Sequence, residues 1–429
     1  MITLSGVILA AGKGKRLNTP SPKALTLLQG RPLIYYILKQ LSSLRRYIKQ
    51  IIIVIGYKGD VVKKEVEKIL KEKEVYFDKN DICFVYQEKL LGTADALKCA
   101  KPKIKYENIF VACADTPLIT KPTLFNFFSY YAKNNAICCL LTAKANKLTD
   151  LGQIIRDDDD CVMAIKEKID RSQLDMREKL IEVNSGFYLF NRDVLFSNID
   201  KIPLHPQKKE YFLTDIVEIF YKEGFKIFSY VTDDYNEIFG INTQFDLLYA
   251  EKILRERILN DLILKGVKIL DPQTTFIDKT ARIGKNTIIY PFTFIEKNVI
   301  IGNSCVVGPF IHLRQNIRIA DNTYLGNFVE IVRSKIGKNV KCKHFSYLGD
   351  VTVKDNVNIG AGTVVANFDG KKKNKTLIGK GAFIGSDTIL VAPIIVGKGA
   401  ITGAGSVVTK NVKAKTVVVG VPAKILRKG

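Results

Sequence analysis

No two of the eight cysteines stand in C-x-x-C spacing, and only Cys138 and Cys139 are adjacent, so no zinc site or disulfide framework is expected. No apolar run approaches the ~20 residues of a membrane span. The start, Met1 to Gly6, has no basic stretch of the kind that opens a signal peptide. Histidine occurs three times, at His205, His312 and His344, which narrows the choice of an imidazole base. Acidic residues are also scarce, 43 against 66 Lys and Arg, for a formal net charge of +23. These absences predict a soluble, reduced, cytoplasmic protein.

What is present is globular in composition: 429 residues, 47% hydrophobic and 25% charged, enough for two or three domains. Residues 251–429 carry 29 basic and 12 acidic side chains, and residues 1–250 carry 37 and 31. A positive field favours anionic ligands such as nucleic acid, acidic lipid or small phosphorylated molecules, although a solvated basic surface fits the same counts. No basic motif is interleaved with aromatics, so nucleic acid is not the expected partner.

Short apolar runs at Gly6–Ala11, Ile51–Ile55, Asn108–Cys113 and Ala136–Leu141 alternate with helix-like stretches. Runs of this kind suit strands buried on both faces, as in a parallel sheet covered by helices. The first 243 residues read as an α/β, Rossmann-like domain. Residues 244–270 read as a connecting arm, helical from Gln244 to Leu264, with Phe245, Leu248, Ile253 and Leu254 near one face.

A period of six then governs residues 271–429. Ile277, Ile283, Ile289, Ile295, Ile301, Val307, Leu313, Ile319, Leu325 and Ile331 are all aliphatic, and several are followed directly by glycine. The period resumes at Ile336 and, after a shift, continues to Val396. In an α-helix six residues leave side chains about 240° out of register. In a parallel β-helix each short strand and its turn take one hexapeptide, with the aliphatic residue inside. Residues 333–335 and 369–375 interrupt the repeat and are expected to loop out.

Leu9-Ala10-Ala11-Gly12-Lys13-Gly14-Lys15-Arg16-Leu17 follows the first strand. Its glycines let backbone N–H groups approach phosphates, and its cations supply charge, but it matches neither a dinucleotide fingerprint nor a Walker loop. With Pro22-Lys23 it resembles the signature of sugar-1-phosphate nucleotidyltransferases. Gln87-x4-Gly92-Thr93, Ala114-Asp115, Ile165 to Asp170, Glu182 to Gly186, Tyr211 to Asp215 and Gly240-Ile241-Asn242 narrow the resemblance. With the hexapeptide repeats, the chain resembles the bacterial bifunctional N-acetylglucosamine-1-phosphate uridyltransferase and glucosamine-1-phosphate N-acetyltransferase family over nearly its whole length.

That resemblance implies a left-handed β-helix, a homotrimer, Mg²⁺ as cofactor, and UTP and acetyl-CoA as substrates. Arg16 and Lys23 would neutralise charge during attack on the α-phosphorus, and Asp115 with Asn242 would hold Mg²⁺. The family pattern puts Leu9, Ala10, Ala11, Gly12, Gly14 and Lys23 around the nucleotide, with Gln87, Gly92 and Thr93 at the uracil. Gly152, Glu167 and Asn184 would bind the N-acetylglucosamine moiety. Without the resemblance, Asp115 reads as a strand-end cap and Asn184 as a turn residue.

For acetyl transfer, His344 would be the general base, kept neutral by Lys341 and Lys343 if they lie close, with Glu330 orienting its ring. Arg314, Tyr347, Asn358 and Glu330 match positions around the amino-sugar phosphate, and Asn367, Phe368, Ser386 and Ala404 match positions near acetyl-CoA. The Ala361 N–H would stabilise the oxyanion. His205 is given no role and His312 a packing role. Four features depart from the family pattern. Val332 stands where a lysine is common, with Arg333 one place later, and Phe368 replaces a tyrosine. Gly420 stands where an arginine is frequent, and the chain ends early, at Gly429. Two other readings fit: a uridyltransferase on a non-catalytic rod, and a nucleotide-sensing scaffold without catalysis. His344 with its neighbours weighs against the first, and Arg16, Lys23, Asp115 and Asn242 against the second.

Overall fold

In a computed structural model the described residues are 2–72, 75–146, 151–167 and 180–427, so Lys168 to Asp170 of one motif and the terminal Gly429 lie outside them. Chain contacts divide the molecule into two units, Met1–Glu251 and Lys252–Gly429. In the first, nine strands among the described residues form one sheet. The strand Leu4–Leu9 sits inside it, parallel to Ile48–Ile55 on one side and to Asn108–Cys113 on the other. Leu4, Val7, Ile8 and Ile51 to Ile55 are fully buried, as a sheet covered on both faces requires.

The sheet is not parallel throughout. The long strand Leu180–Asn191 runs antiparallel to both Asn108–Cys113 and Cys138–Asn146. Side-chain pattern cannot reveal this, because a doubly buried strand reads the same in either direction. The first strand also ends two residues sooner than its apolar run: Ala10 and Ala11 belong to the turn, and the Ala10 N–H donates to the Val54 carbonyl at 2.8 Å.

The helix Gln244–Leu264 has the expected limits, but Phe245 and Leu248 are 85% and 68% exposed. The buried residues are Ala250, Leu259 and Leu262, the last two within the apolar core of the second unit. The apolar positions of this helix are dispersed around its axis, so no single stripe is buried.

The second unit stacks its short strands into three sheets that interleave along the chain, parallel except for the final pair Val417–Val419 and Lys424–Arg427, in keeping with the left-handed β-helix that the resemblance implies. All ten aliphatic residues from Ile277 to Ile331 point inside and are buried. Asn286, Asn298, Asn316, Asn322, Asn339 and Asn356 occupy corners with positive φ, where asparagine is the best tolerated residue after glycine. The break at 333–335 is a shortening, not a loop. Ile300 pairs with Arg318, 18 residues on, whereas Arg318 pairs with Lys335, 17 residues on. One corner residue is missing, and Arg333 makes the tightened turn at φ 47°.

Coil stacking fixes one glycine strictly. A Cβ on Gly326 would fall on the backbone oxygen of Lys343 in the next coil. Gly326→Ala is therefore expected to lower the unfolding free energy of the rod by about 2 kcal/mol or more, the cost of overpacking against rigid backbone. Thermal unfolding followed by circular dichroism, compared with the unaltered chain, checks this.

Candidate active sites

Leu9 and Cys113 are register partners, so the glycine turn and Asp115 leave the sheet side by side. This is the carboxyl edge at which open α/β sheets bind ligands. The Asp115 carbonyl accepts from the Ile241 N–H at 2.9 Å, which brings Asn242 to the same place. Lys23, in the short turn Lys23–Leu25, ion-pairs with the Asp115 carboxylate, and its Nζ donates to Asn242 Oδ1 at 2.7 Å. Gly14, at φ 70°, leaves room for Lys23, since a Cβ there would lie 2.9 Å from the lysine Cβ. Gly12 is different: a Cβ added to it would meet nothing within 4 Å, so packing does not demand glycine and the space before the turn is open.

A cavity of about 550 Å³ at this edge is lined by Leu9, Arg16, Thr93, Asp115, Gly152, Glu167, Asn184 and Asn242. Ala10, Ala11, Gly12, Gly14, Lys23, Gln87 and Gly92 do not line it. Gln87 is buried, and its Nε2 donates to the Gly92 carbonyl at 3.0 Å and to Asp95 Oδ2 at 2.7 Å. Both partners only accept, so the amide orientation is fixed with Oε1 as a remaining acceptor. Gly92 adopts φ 100°, a Cβ there would lie 2.5 Å from the Tyr211 carbonyl oxygen, and Thr93 Oγ1 accepts from the Leu213 N–H at 2.9 Å.

Across the cavity, the Gly152 carbonyl accepts from the Asn184 N–H at 2.8 Å, and Thr214 Oγ1 donates to Glu167 Oε1 at 3.3 Å. Asn184 Nδ2 donates to the Tyr188 hydroxyl at 2.6 Å, and burial raises the Tyr188 phenol well above its usual range. Tyr188, Cys113 and Lys208 line the cavity without having been singled out, and Phe212 lines it from within the Tyr211 to Asp215 motif. The strand irregularity between Asn184 and Tyr188 that brings that pair together has no signature in residue alternation.

In the rod, a second set of residues collects along one edge. The Gly362 N–H donates to Phe345 O at 2.8 Å, the Asp387 N–H to Ala361 O at 2.6 Å, and the Gly405 N–H to Ser386 O at 2.8 Å. His344, Ala361, Ser386 and Ala404 thus rise on successive coils. His344, Ser386 and Ala404 are exposed, and among the described residues neither the His344 ring nor the Ala361 N–H has a partner. Glu330 and Tyr347 are register partners on one adjoining sheet, and Asn358 lies on the other. Phe368 is exposed and bridges to Lys373.

One expectation changes here. Glu330 accepts from Arg314 Nε at 2.6 Å and does not bond the His344 ring. The Lys343 ammonium lies over the Tyr324 ring, 5.2 Å from its centroid. Val332 is buried, and Arg333, at the corner, is committed to Asp350 through two hydrogen bonds of 2.7 Å, so its charge does not replace the one missing at position 332. His312 packs edge-on against Phe294 and also bonds Glu296 Oε1 at 2.9 Å.

A nucleotidyl transferase family matches residues 5–239, the GMPPB C-terminal domain family matches residues 272–374, and bacterial transferase hexapeptide repeats, six of them, match residues 375–410. The chain is thus a nucleotidyl transferase joined to a hexapeptide-repeat rod. "Bifunctional protein GlmU" of Heliobacterium modesticaldum is 38% identical to it over 451 residues, covering 97% of this chain and 95% of that one. The protein of the same name from Streptococcus uberis is 33% identical over 465 residues, covering 100% and 98%. The chain belongs to this GlmU family.

Cys113 borders the cavity, but burial, aided by the Asp115 charge, pushes its thiol up to about 12. It remains protonated at pH 8 and hence a poor nucleophile. Iodoacetamide at that pH is expected to leave Cys113 unmodified, as read by peptide mass spectrometry, with modification rising only as the pH approaches the raised value.

Proposed function

We propose that the chain makes UDP-N-acetylglucosamine in two steps, acetyl transfer from acetyl-CoA to glucosamine-1-phosphate on the rod and uridyl transfer from UTP to the product on the first unit. The domains divide at 1–243, 244–270 and 271–429. The observation that carries the reading is the convergence of Lys23, Asp115 and Asn242 beside the glycine turn.

In uridyl transfer a phosphate oxygen of the sugar phosphate forms a bond to the α-phosphorus of UTP, and the α–β bridging bond breaks to release pyrophosphate. Both reactants are anions, so cationic groups held in place lower the barrier. Lys23 and Arg16 supply that charge. Gln87 presents Oε1 to the uracil N–H, with Gly92 and Thr93 shaping its pocket. Gly152, Glu167 and Asn184 read the sugar and its acetamido group. One carboxylate and one amide oxygen already share a cation, the Lys23 ammonium, and such hard oxygen donors fit Mg²⁺. Two protein oxygens leave the other positions of an octahedral ion to phosphates and water. Asp115 and Asn242 would hold Mg²⁺, which when bound supplies neutralisation of phosphate charge.

In acetyl transfer the free amine of glucosamine-1-phosphate attacks the thioester carbonyl, the C–S bond breaks and CoA leaves as the thiol. His344 takes the amine proton, and the Ala361 N–H faces the developing oxyanion. Arg314, Tyr347, Asn358 and Glu330 hold the amino-sugar phosphate; Asn367, Phe368, Ser386 and Ala404 hold acetyl-CoA. The assembly is a homotrimer. Phe292, Phe310 and Phe328, stacked at 4.7 and 5.1 Å and all exposed, are apolar surface suited to burial between copies. The eight free cysteines suit the reducing cytoplasm. No helix among the described residues is long and apolar enough to cross a membrane.

Two assays on the purified chain test the reading. UTP with N-acetylglucosamine-1-phosphate and Mg²⁺ is expected to release pyrophosphate, and Lys23→Ala to cut the rate at least 100-fold. Acetyl-CoA is expected to release free thiol only when glucosamine-1-phosphate is present, and His344→Ala to cut that rate by about 10²–10⁴-fold. Thiol release unaffected by the histidine substitution would contradict the assignment of the base.

A further inference from the structure

Corner residues Arg333, Asp350 and Asn367 are 17 apart in sequence and stand one above another on three successive coils. The Arg333 guanidinium grips Asp350 in a two-pronged pair at 2.7 Å each, and Asp350 Oδ2 also accepts from Asn367 Nδ2 at 2.5 Å. A carboxylate only accepts, so the Asn367 amide has one possible orientation, with Nδ2 toward Asp350 and Oδ1 away from it. Asn367 is buried to within 6% of full exclusion, and Oδ1 has no partner among the described residues. The arginine fork keeps the carboxylate ionised: its hydrogen bond is the largest cause holding Asp350 below the usual carboxylate range.

The same amide is confined from a second side. A Cβ on Gly349 would lie 2.6 Å from Asn367 Nδ2 and 2.7 Å from the Tyr347 hydroxyl, so these two side chains close over the glycine. Tyr347 and Asn367 therefore share one wall, at the edge of the sheet that also carries Glu330. Val332, buried just before Arg333, contributes no charge to it.

We propose that Arg333 and Asp350 are a positioning pair for acetyl transfer. They lock the Asn367 amide, which lies beside acetyl-CoA in that reading, so that its oxygen, a pure acceptor, meets an N–H of the amino substrate where the two substrates join. Arg333 itself touches no substrate; it acts through Asp350. The inference rests on the acetyl-transfer reading above and gives Arg333 a use other than replacing the charge absent at Val332.

The test uses the full-length chain and follows thiol release with both substrates varied, with pyrophosphate release as the control for an intact molecule. Asp350→Asn keeps the shape but can donate or accept, so the Asn367 amide is free to flip. It is expected to lower kcat for thiol release on the order of tenfold, with the KM for acetyl-CoA within about twofold. Arg333→Ala is expected to act in the same direction and Arg333→Lys to recover part of the loss, because a single ammonium holds the carboxylate without the fork. Gly349→Ala, which pushes on the amide from the other side, is expected to lower kcat as well. Pyrophosphate release stays unchanged in all four. Values of kcat within twofold of the unaltered chain for both Asp350→Asn and Arg333→Ala would overturn the inference, as would a loss confined to KM. If the unaltered chain released no thiol, the acetyl-transfer reading would fall, and this inference with it.

Discussion

Backbone hydrogen bonding between successive coils is the constraint on which the second unit depends. Parallel strands stack at about 4.8 Å, and every coil must return to the same place before the next begins. The aliphatic residue of each hexapeptide then fills the interior, asparagine takes the left-handed corners, and Gly326 passes beneath the Lys343 carbonyl. The same constraint converts sequence separation into spatial adjacency. Residues 17, 18 or 25 apart become neighbours on one edge, which is how His344, Ala361, Ser386 and Ala404 come together without contact in sequence.

The first unit meets a different demand, the approach of two anions. Its sheet delivers the ends of two neighbouring strands to one place, and the Asp115–Ile241 backbone hydrogen bond adds Asn242 to them. The result is a pair of oxygen donors around one cation beside an open glycine turn. Charge is balanced there before any ligand arrives. Lys23 shares the oxygens proposed for Mg²⁺, so phosphate and metal must redistribute its contacts on binding.

Much of this was legible in the residues. The period of six located the rod and its interior to the residue, and the helix Gln244–Leu264 had its limits in a stretch free of proline and glycine. The edge of the sheet that holds the first site followed from one strand and the turn after it. What sequence could not show was relational. The antiparallel course of Leu180–Asn191 depends on connection, not on pattern. The shortened corner at Arg333 looked like an insertion because a lost residue and a gained one both break a period. Glu330 pairs with Arg314, and Arg333 with Asp350, because coil register places them within reach, and register is invisible until the coils are counted.

The central claim is that two separate chemistries reside on the two units of one chain. Its most direct test is complementation between two full-length variants, Asp115→Asn and His344→Ala, given glucosamine-1-phosphate, acetyl-CoA and UTP. Each alone is expected to yield no UDP-N-acetylglucosamine, while an equal mixture yields it after a lag, as acetylated sugar phosphate made by the first diffuses to the second. A mixture that stays inactive, although each variant retains its own half-reaction, would contradict the account.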